Sequence, residues 1–252
     1  MIEATVKAVL LDIEGTTSSI AFVYDIMFPY VRRNVRGFLE RHEQRLDVKA
    51  AIDRMASDAG FADASAWRPP QDPGSSSSDR PGNDFLTDHV NSLMDSDSKS
   101  TGLKALQGLI WQAGFESGEL KSHLFTDVVP AIENWHRQGI VIGIYSSGSI
   151  VAQKLFFGHT PQGDLNRYLV RNYDTTVGPK RESASYQRIA VDFGFHPGEI
   201  LFLSDTSAEL RAAKAAGIQA IAVVRPGNTP LSENDHLAQI ESFELLKLEL
   251  SI

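Results

Sequence analysis

The chain has 252 residues, of which 42% are hydrophobic, no cysteine, and a formal net charge of −8. That length accommodates a full core plus an inserted smaller domain, and no apolar run approaches the roughly 20 residues of a membrane span. The missing cysteines exclude disulfides, thiolate nucleophiles and cysteine-ligated zinc, and the acidic balance argues against nucleic acid as a bulk partner.

The first residues, Met1 to Lys7, show no basic start followed by an apolar run, so no signal peptide is predicted. Cytoplasmic localisation is expected, with no membrane association. Lys7-Ala8-Val9-Leu10-Leu11 is an apolar run that stops at Asp12 and predicts a buried strand. Beyond it the rhythm changes. Residues 20–125 are mostly helical in pattern, with amphipathic stretches at 31–39, 48–59 and 103–111 and no comparable Val/Ile run. Within them, the Pro/Ser-rich segment near 68–83 has too few apolar residues to build a core and predicts a loop. A helix is expected over 128–138, carrying Val129, Ile132 and Trp135, with Gly139 as its stop. Strands are expected at 140–145, ending before Ser146, at 168–170, at 200–203, ending before Ser204-Asp205, and at 220–224. Helices at 185–193 and 208–216 lie between them, each followed by a glycine. Strands apolar on both faces, alternating with helices, predict an α/β fold: a Rossmann-like parallel sheet with helices on both faces. The expected division is a catalytic core of 1–19 and 126–252 and an inserted helical cap of 20–125.

Polar residues collect at the carboxyl ends of the predicted strands, where open α/β sheets bind ligands. Asp12-Ile13-Glu14-Gly15-Thr16-Thr17 follows the first strand, and Gly15 permits a turn that brings two carboxylates to one site. Ser146-Ser147-Gly148-Ser149 precedes a helix, where hydroxyls and backbone N–H groups suit an anion. A serine there is also an ordinary N-cap, and the same holds for Asp205, with Glu209 one helical turn later. Lys180, in Gly178-Pro179-Lys180, would by itself read as a solvated loop lysine.

In this order the residues match the four-part signature of the haloacid-dehalogenase-like phosphatases: Asp-x-Asp/Glu, then Ser/Thr, then Lys, then acidic residues after a further strand. The resemblance implies a haloacid-dehalogenase-like core and a phosphoryl transfer in which positioning and charge neutralisation dominate. Asp12 is the expected nucleophile and Glu14 the expected general acid and base. Ser146, Ser147 and Lys180 are expected to contact substrate and its phosphate. One Mg²⁺ per subunit is expected, on Asp12, Asp205 and Glu14, the last through its backbone carbonyl.

The match narrows further. Glu14 stands where most members have Asp. The run Lys99-Ser100-Thr101-Gly102-Leu103 to Trp111, the segment Tyr145 to Ser149, and Ala152-Gln153-Lys154-Leu155-Phe156-Phe157-Gly158-His159 resemble the enolase-phosphatases of methionine salvage, also called acireductone synthases. That family enolises 2,3-diketo-5-methylthiopentyl-1-phosphate and then hydrolyses it to 1,2-dihydroxy-3-keto-5-methylthiopentene and phosphate. The resemblance is weakest across the Pro/Ser-rich segment. A monomer acting on a small phosphorylated molecule is expected. The competing expectations are a related Mg²⁺-dependent phosphatase for a different small phosphomonoester, a non-catalytic phosphate binder, and a dehalogenase. The enolisation base is open: Glu14 is one candidate, while Lys99, Lys104 and Glu116 read as solvated helix charge. Trp111 and Phe115 read as cap core, and His159 as structural.

Overall fold

The computed structural model describes residues 1–67, 81–98, 100–231 and 237–251. Most of the Pro/Ser-rich segment, at 68–80, and Lys99 lie outside the described residues. The chain forms two compact units, one of Met1–Asp25 with Lys121–Ile252 and one of Ile26–Leu120. These junctions fall several residues inside the expected 20–125 segment. Backbone bonds give the reason: Phe125 N donates to Thr17 O at 3.1 Å and Ser122 N to His159 O at 3.0 Å. His123 Nδ1 also accepts from Ser19 N at 3.3 Å, so both connecting stretches belong to the first unit.

In the first unit, β1 (Ile2–Val6) and β8 (Leu246–Leu250) form a separate parallel pair. The main sheet contains β2 (Ala8–Leu11), β3 (Val141–Tyr145), β4 (Leu169–Tyr173), β5 (Ile200–Ser204), β6 (Gln219–Val223) and β7 (Gln239–Ile240). Its spatial order is β4-β3-β2-β5-β6-β7, and every pairing is parallel. The helices of this unit are α6 (Val128–Arg137), α7 (Ile150–Gly158), α8 (Ser183–Phe193) and α9 (Ser207–Ala215). β2 and β5 are buried along their whole length, as strands covered on both faces must be. Leu10, Tyr186, Ile189, Phe202 and Leu210 join one core cluster. Full burial of such a side chain contributes roughly 1.5–3 kcal/mol.

Register decides which residues meet. Leu11 lies opposite Ile144 on one side and Leu203 on the other. The chain runs outward from β2 through β3 to β4, then returns to β5 on the opposite side, so β2 sits at the switch point of the sheet. Asp12, Ser146 and Ser204-Asp205 therefore emerge at one edge.

The second unit contains α1 (Phe28–His42), α2 (Leu46–Asp58), α3 (Ala64–Trp67), α4 (Pro81–Asp95) and α5 (Thr101–Ser117). α2 buries Val48, Ile52 and Met55, and α5 buries Leu103, Leu106 and Ile110, both at helical spacing. Ser100 caps α5 by accepting Leu103 N at 3.0 Å. Phe115 is buried in this unit's core, and the half-buried Trp111 donates Nε1–H to Met27 O at 2.9 Å. α4 starts at Pro81, inside the stretch read from sequence as loop. Among the described residues, no helix is long and apolar enough to cross a membrane.

Candidate active site

The ladder between β2 and β5 continues one residue beyond the strand, since Asp12 N donates to Leu203 O at 3.0 Å. The chain then closes on itself: Thr16, Thr17 and Ser18 all direct their N–H groups at Ile13 O, and Gly15 adopts φ +72°. Only glycine adopts that conformation readily. Space excludes a side chain there as well, because a Cβ on Gly15 would lie 2.3 Å from Asp205 Oδ2.

Asp12 is buried, and both of its carboxylate oxygens are engaged. Oδ1 accepts from Ile13 N at 2.8 Å and pairs with Lys180 Nζ at 2.7 Å, while Oδ2 accepts from Ser204 Oγ at 3.1 Å. Lys180 also pairs with Glu209 Oε2 at 2.6 Å. Ser204 Oγ lies 3.1 Å from that same Glu209 oxygen, so its single hydrogen serves one carboxylate at a time.

The position of Lys180 is built by hydroxyl groups. The carbonyls of Gly178, Pro179 and Lys180 accept, in turn, from Tyr145 Oη at 2.8 Å, Ser185 Oγ at 2.8 Å and Tyr186 Oη at 2.7 Å. Lys180 is only 7% exposed, which contradicts a solvated loop lysine. Burial opposes its charge, but the carboxylates of Asp12 and Glu209 outweigh that and hold its pKa above the ordinary lysine value. Two carboxylates share one ammonium. Glu209 is accordingly raised, first by burial and then by the charge of Asp12, despite its contact with Lys180. Burial and the Asp12 charge push Asp205 up to about 6.

Ser146 is buried at the end of β3, where its N–H donates to Tyr173 O at 3.2 Å and its Oγ accepts from Gly148 N at 3.2 Å. Gln153 Nε2 donates to Gly148 O and Tyr173 O, both at 2.8 Å, and so fixes this turn. Ser147 is exposed. Ser149 is the residue that caps α7, accepting Ala152 N at 3.3 Å, so Ser146 and Ser147 are not used as caps. Asp205 is not a cap either: Thr206 holds that position in α9, and Asp205 Oδ1 accepts from Thr206 Oγ1 at 3.0 Å. Glu14 is partly exposed, and its backbone pairs with that of Ser18 in an isolated parallel bridge.

The donors suit a hard cation such as Mg²⁺. They comprise carboxylates in excess of their one lysine, a glycine cradle beside Asp205, and the buried Asn228 Oδ1, which has no hydrogen-bond partner in the structure. Among the described residues, no three acidic or histidine side chains gather as a cage. Mg²⁺ takes one or two carboxylates with carbonyl, water and phosphate oxygens, a demand that two carboxylates could meet without a cage.

Residues 6–217 match the model of the haloacid dehalogenase-like hydrolases. Two curated relatives, both called Enolase-phosphatase E1, align over nearly their full length. The one from Drosophila pseudoobscura pseudoobscura is 44% identical, covering 98% of each chain. The one from Synechococcus elongatus is 43% identical, covering 96% of this chain and 98% of its own. The crystal structure of the Unknown transcript 4 protein of Saccharomyces cerevisiae is 31% identical, with a TM-score of 0.76, covering 95% of this chain and 99% of that one. The chain therefore belongs to the haloacid dehalogenase-like hydrolases and, within them, to the enolase-phosphatase E1 family.

Ser204, Gln153, Asn228 and the Asp127–Arg225 pair escaped the sequence reading. Ser204 lay beside Asp205 in the same strand-end dipeptide. Arg225-Pro226-Gly227-Asn228 carries a turn signature directly after a strand. Asp127 left no local signal, because its partners Arg225 and Phe243 lie far away in sequence, and Gln153 is tied to β4 through Tyr173, twenty residues on, as well as to nearby Gly148.

Proposed function

We propose that the chain converts 2,3-diketo-5-methylthiopentyl-1-phosphate to 1,2-dihydroxy-3-keto-5-methylthiopentene and phosphate, as an Mg²⁺-dependent cytoplasmic monomer with one ion per subunit. The observation that carries the phosphatase half is the buried Asp12 carboxylate at the end of the central strand, with Lys180 Nζ 2.7 Å from one oxygen and Ser204 on the other. Asp12 attacks phosphorus and forms an aspartyl-phosphate as the phosphorus–oxygen bond to the leaving enol breaks. Glu14 donates a proton to that oxygen, then takes one from the water that hydrolyses the intermediate. Ser146, Ser147 and Lys180 hold the phosphoryl oxygens and neutralise their charge. Asp12, Asp205 and the Glu14 carbonyl would hold Mg²⁺, which lowers the repulsion between the two anions and polarises the substrate's oxygens.

Glu14 is one candidate base for enolisation. Lys104 and Glu116 belong to α5, and the exposed Glu116 accepts from Gln112 Nε2 at 2.7 Å, one turn away, as a helix-surface pair. His159 sits at the C-terminal end of α7, with Nδ1 2.9 Å from Leu155 O.

The test is to incubate the protein with the diketone phosphate and Mg²⁺, following acireductone absorbance and phosphate release together. Both should rise, and C1 should exchange deuterium from heavy water. Equal rates on simple aliphatic monoesters, with no C1 exchange, would leave a generic phosphatase and remove the enolase assignment.

A further inference from the structure

A turn after β6 reaches back to the loop that carries the nucleophile. In Arg225-Pro226-Gly227-Asn228, Asn228 N donates to Arg225 O at 3.1 Å and Gly227 adopts φ +88°, the geometry that a proline–glycine centre favours. Its two ends grip adjacent carbonyls. Arg225 Nε donates to Thr16 O at 3.1 Å, and Asn228 Nδ2 donates to Gly15 O at 2.9 Å and Val223 O at 3.2 Å. Arg225 is itself immobilised: it is buried, paired with Asp127 Oδ2 at 2.8 Å, and lies over the rings of Phe125 and Phe243.

These contacts orient the Asn228 amide. Two carbonyls can only accept, so the nitrogen must face them and Oδ1 must face the other way. That oxygen is buried without a hydrogen-bond partner in the structure. It borders the space above Gly15, where a Cβ would lie 3.1 Å from Asn228 Oδ1 and 2.3 Å from Asp205 Oδ2. An amide oxygen and a carboxylate oxygen thus face one small space, and buried acceptors require a donor or a cation.

We propose that Asn228 is a positioning residue for the metal side of the site. Its Oδ1 accepts a hydrogen bond from the hydration shell of the cation held by Asp205. Its Nδ2 pins the Gly15 carbonyl and, through it, the peptide that follows Glu14. This rests on the reading that Asp12 and Asp205 hold Mg²⁺.

The test is calorimetric titration of Mg²⁺ into substrate-free protein, with metal-free thermal melts alongside. Asn228→Ala should weaken Mg²⁺ binding roughly 10–100-fold, the usual range for a partner one step from the metal. Asn228→Asp keeps an oxygen facing the cation but places another against the Gly15 and Val223 carbonyls. It should bind Mg²⁺ at least as tightly as wild type, yet turn over more slowly at saturating Mg²⁺. A folded Asn228→Ala protein with wild-type Mg²⁺ affinity overturns the proposal. So does an Asn228→Asp protein that binds Mg²⁺ more weakly than wild type, and this second variant decides the matter if the alanine protein does not fold. Wild-type protein that binds no Mg²⁺ would instead strike the metal reading on which the proposal stands.

Discussion

Replacing Lys180 by methionine tests the electrostatic design of the site. The lysine is buried and neutralises two carboxylates at 2.7 and 2.6 Å. Methionine fills similar space but leaves Asp12 and Glu209 facing each other without a counter-charge. Removing one partner of a buried pair typically costs about 3–5 kcal/mol. At roughly 2–4 °C per kcal/mol for a chain of this size, the melting temperature should fall by about 10 °C at pH 7.5. The loss should shrink at pH 5, because Glu209, already raised by burial and by Asp12, takes up a proton more readily there. Adding Glu209→Gln to Lys180→Met should recover part of the loss, since one of the stranded charges is then gone. Metal-free melts by circular dichroism at both pH values measure all three effects. An unchanged melting temperature in Lys180→Met at pH 7.5 would show that the ammonium does not neutralise this cluster.

Asp12→Asn should leave no measurable phosphate release while the protein stays folded, because an amide cannot attack phosphorus, and Glu14→Gln should cost about 10²–10⁴-fold in turnover; a phosphate-release assay checks both. Gly15→Ala should lose Mg²⁺ affinity by calorimetry, since its Cβ would lie 2.3 Å from Asp205 Oδ2 in a backbone conformation with φ +72°. Asp127 meets the opposing effect of burial but is lowered overall by bonds from Arg225 and Phe243 N. Its stabilisation is therefore complete above the unfolded carboxyl value of about 3.9 and is lost as pH falls through the lower folded value. Urea midpoints of wild type and Asp127→Asn should accordingly differ most at neutral pH and converge in acid; a difference constant down to pH 2 would contradict that assignment.

Local sequence determined most of the catalytic sheet and several of its polar strand ends. Strands covered on both faces are written as short apolar runs, so β2, β3 and β5 were legible, and so were Asp12, Ser146 and Asp205 at their ends. The period of helices was equally legible in α2 and α5. The separate two-stranded pair was not. β1 and β8 alternate apolar and polar residues, and they acquire meaning only when the two ends of the chain pair. Tertiary structure alone decided how the polar residues are used. Nothing near Lys180 in sequence says that it is buried, because its carboxylate partners arrive from β2 and α9. Nothing near Asn228 says that its amide faces Gly15, a residue more than two hundred positions earlier. Strand and helix periods are local properties of a chain. The pairing of buried charges and the satisfaction of buried acceptors depend on which segments the parallel register sets side by side.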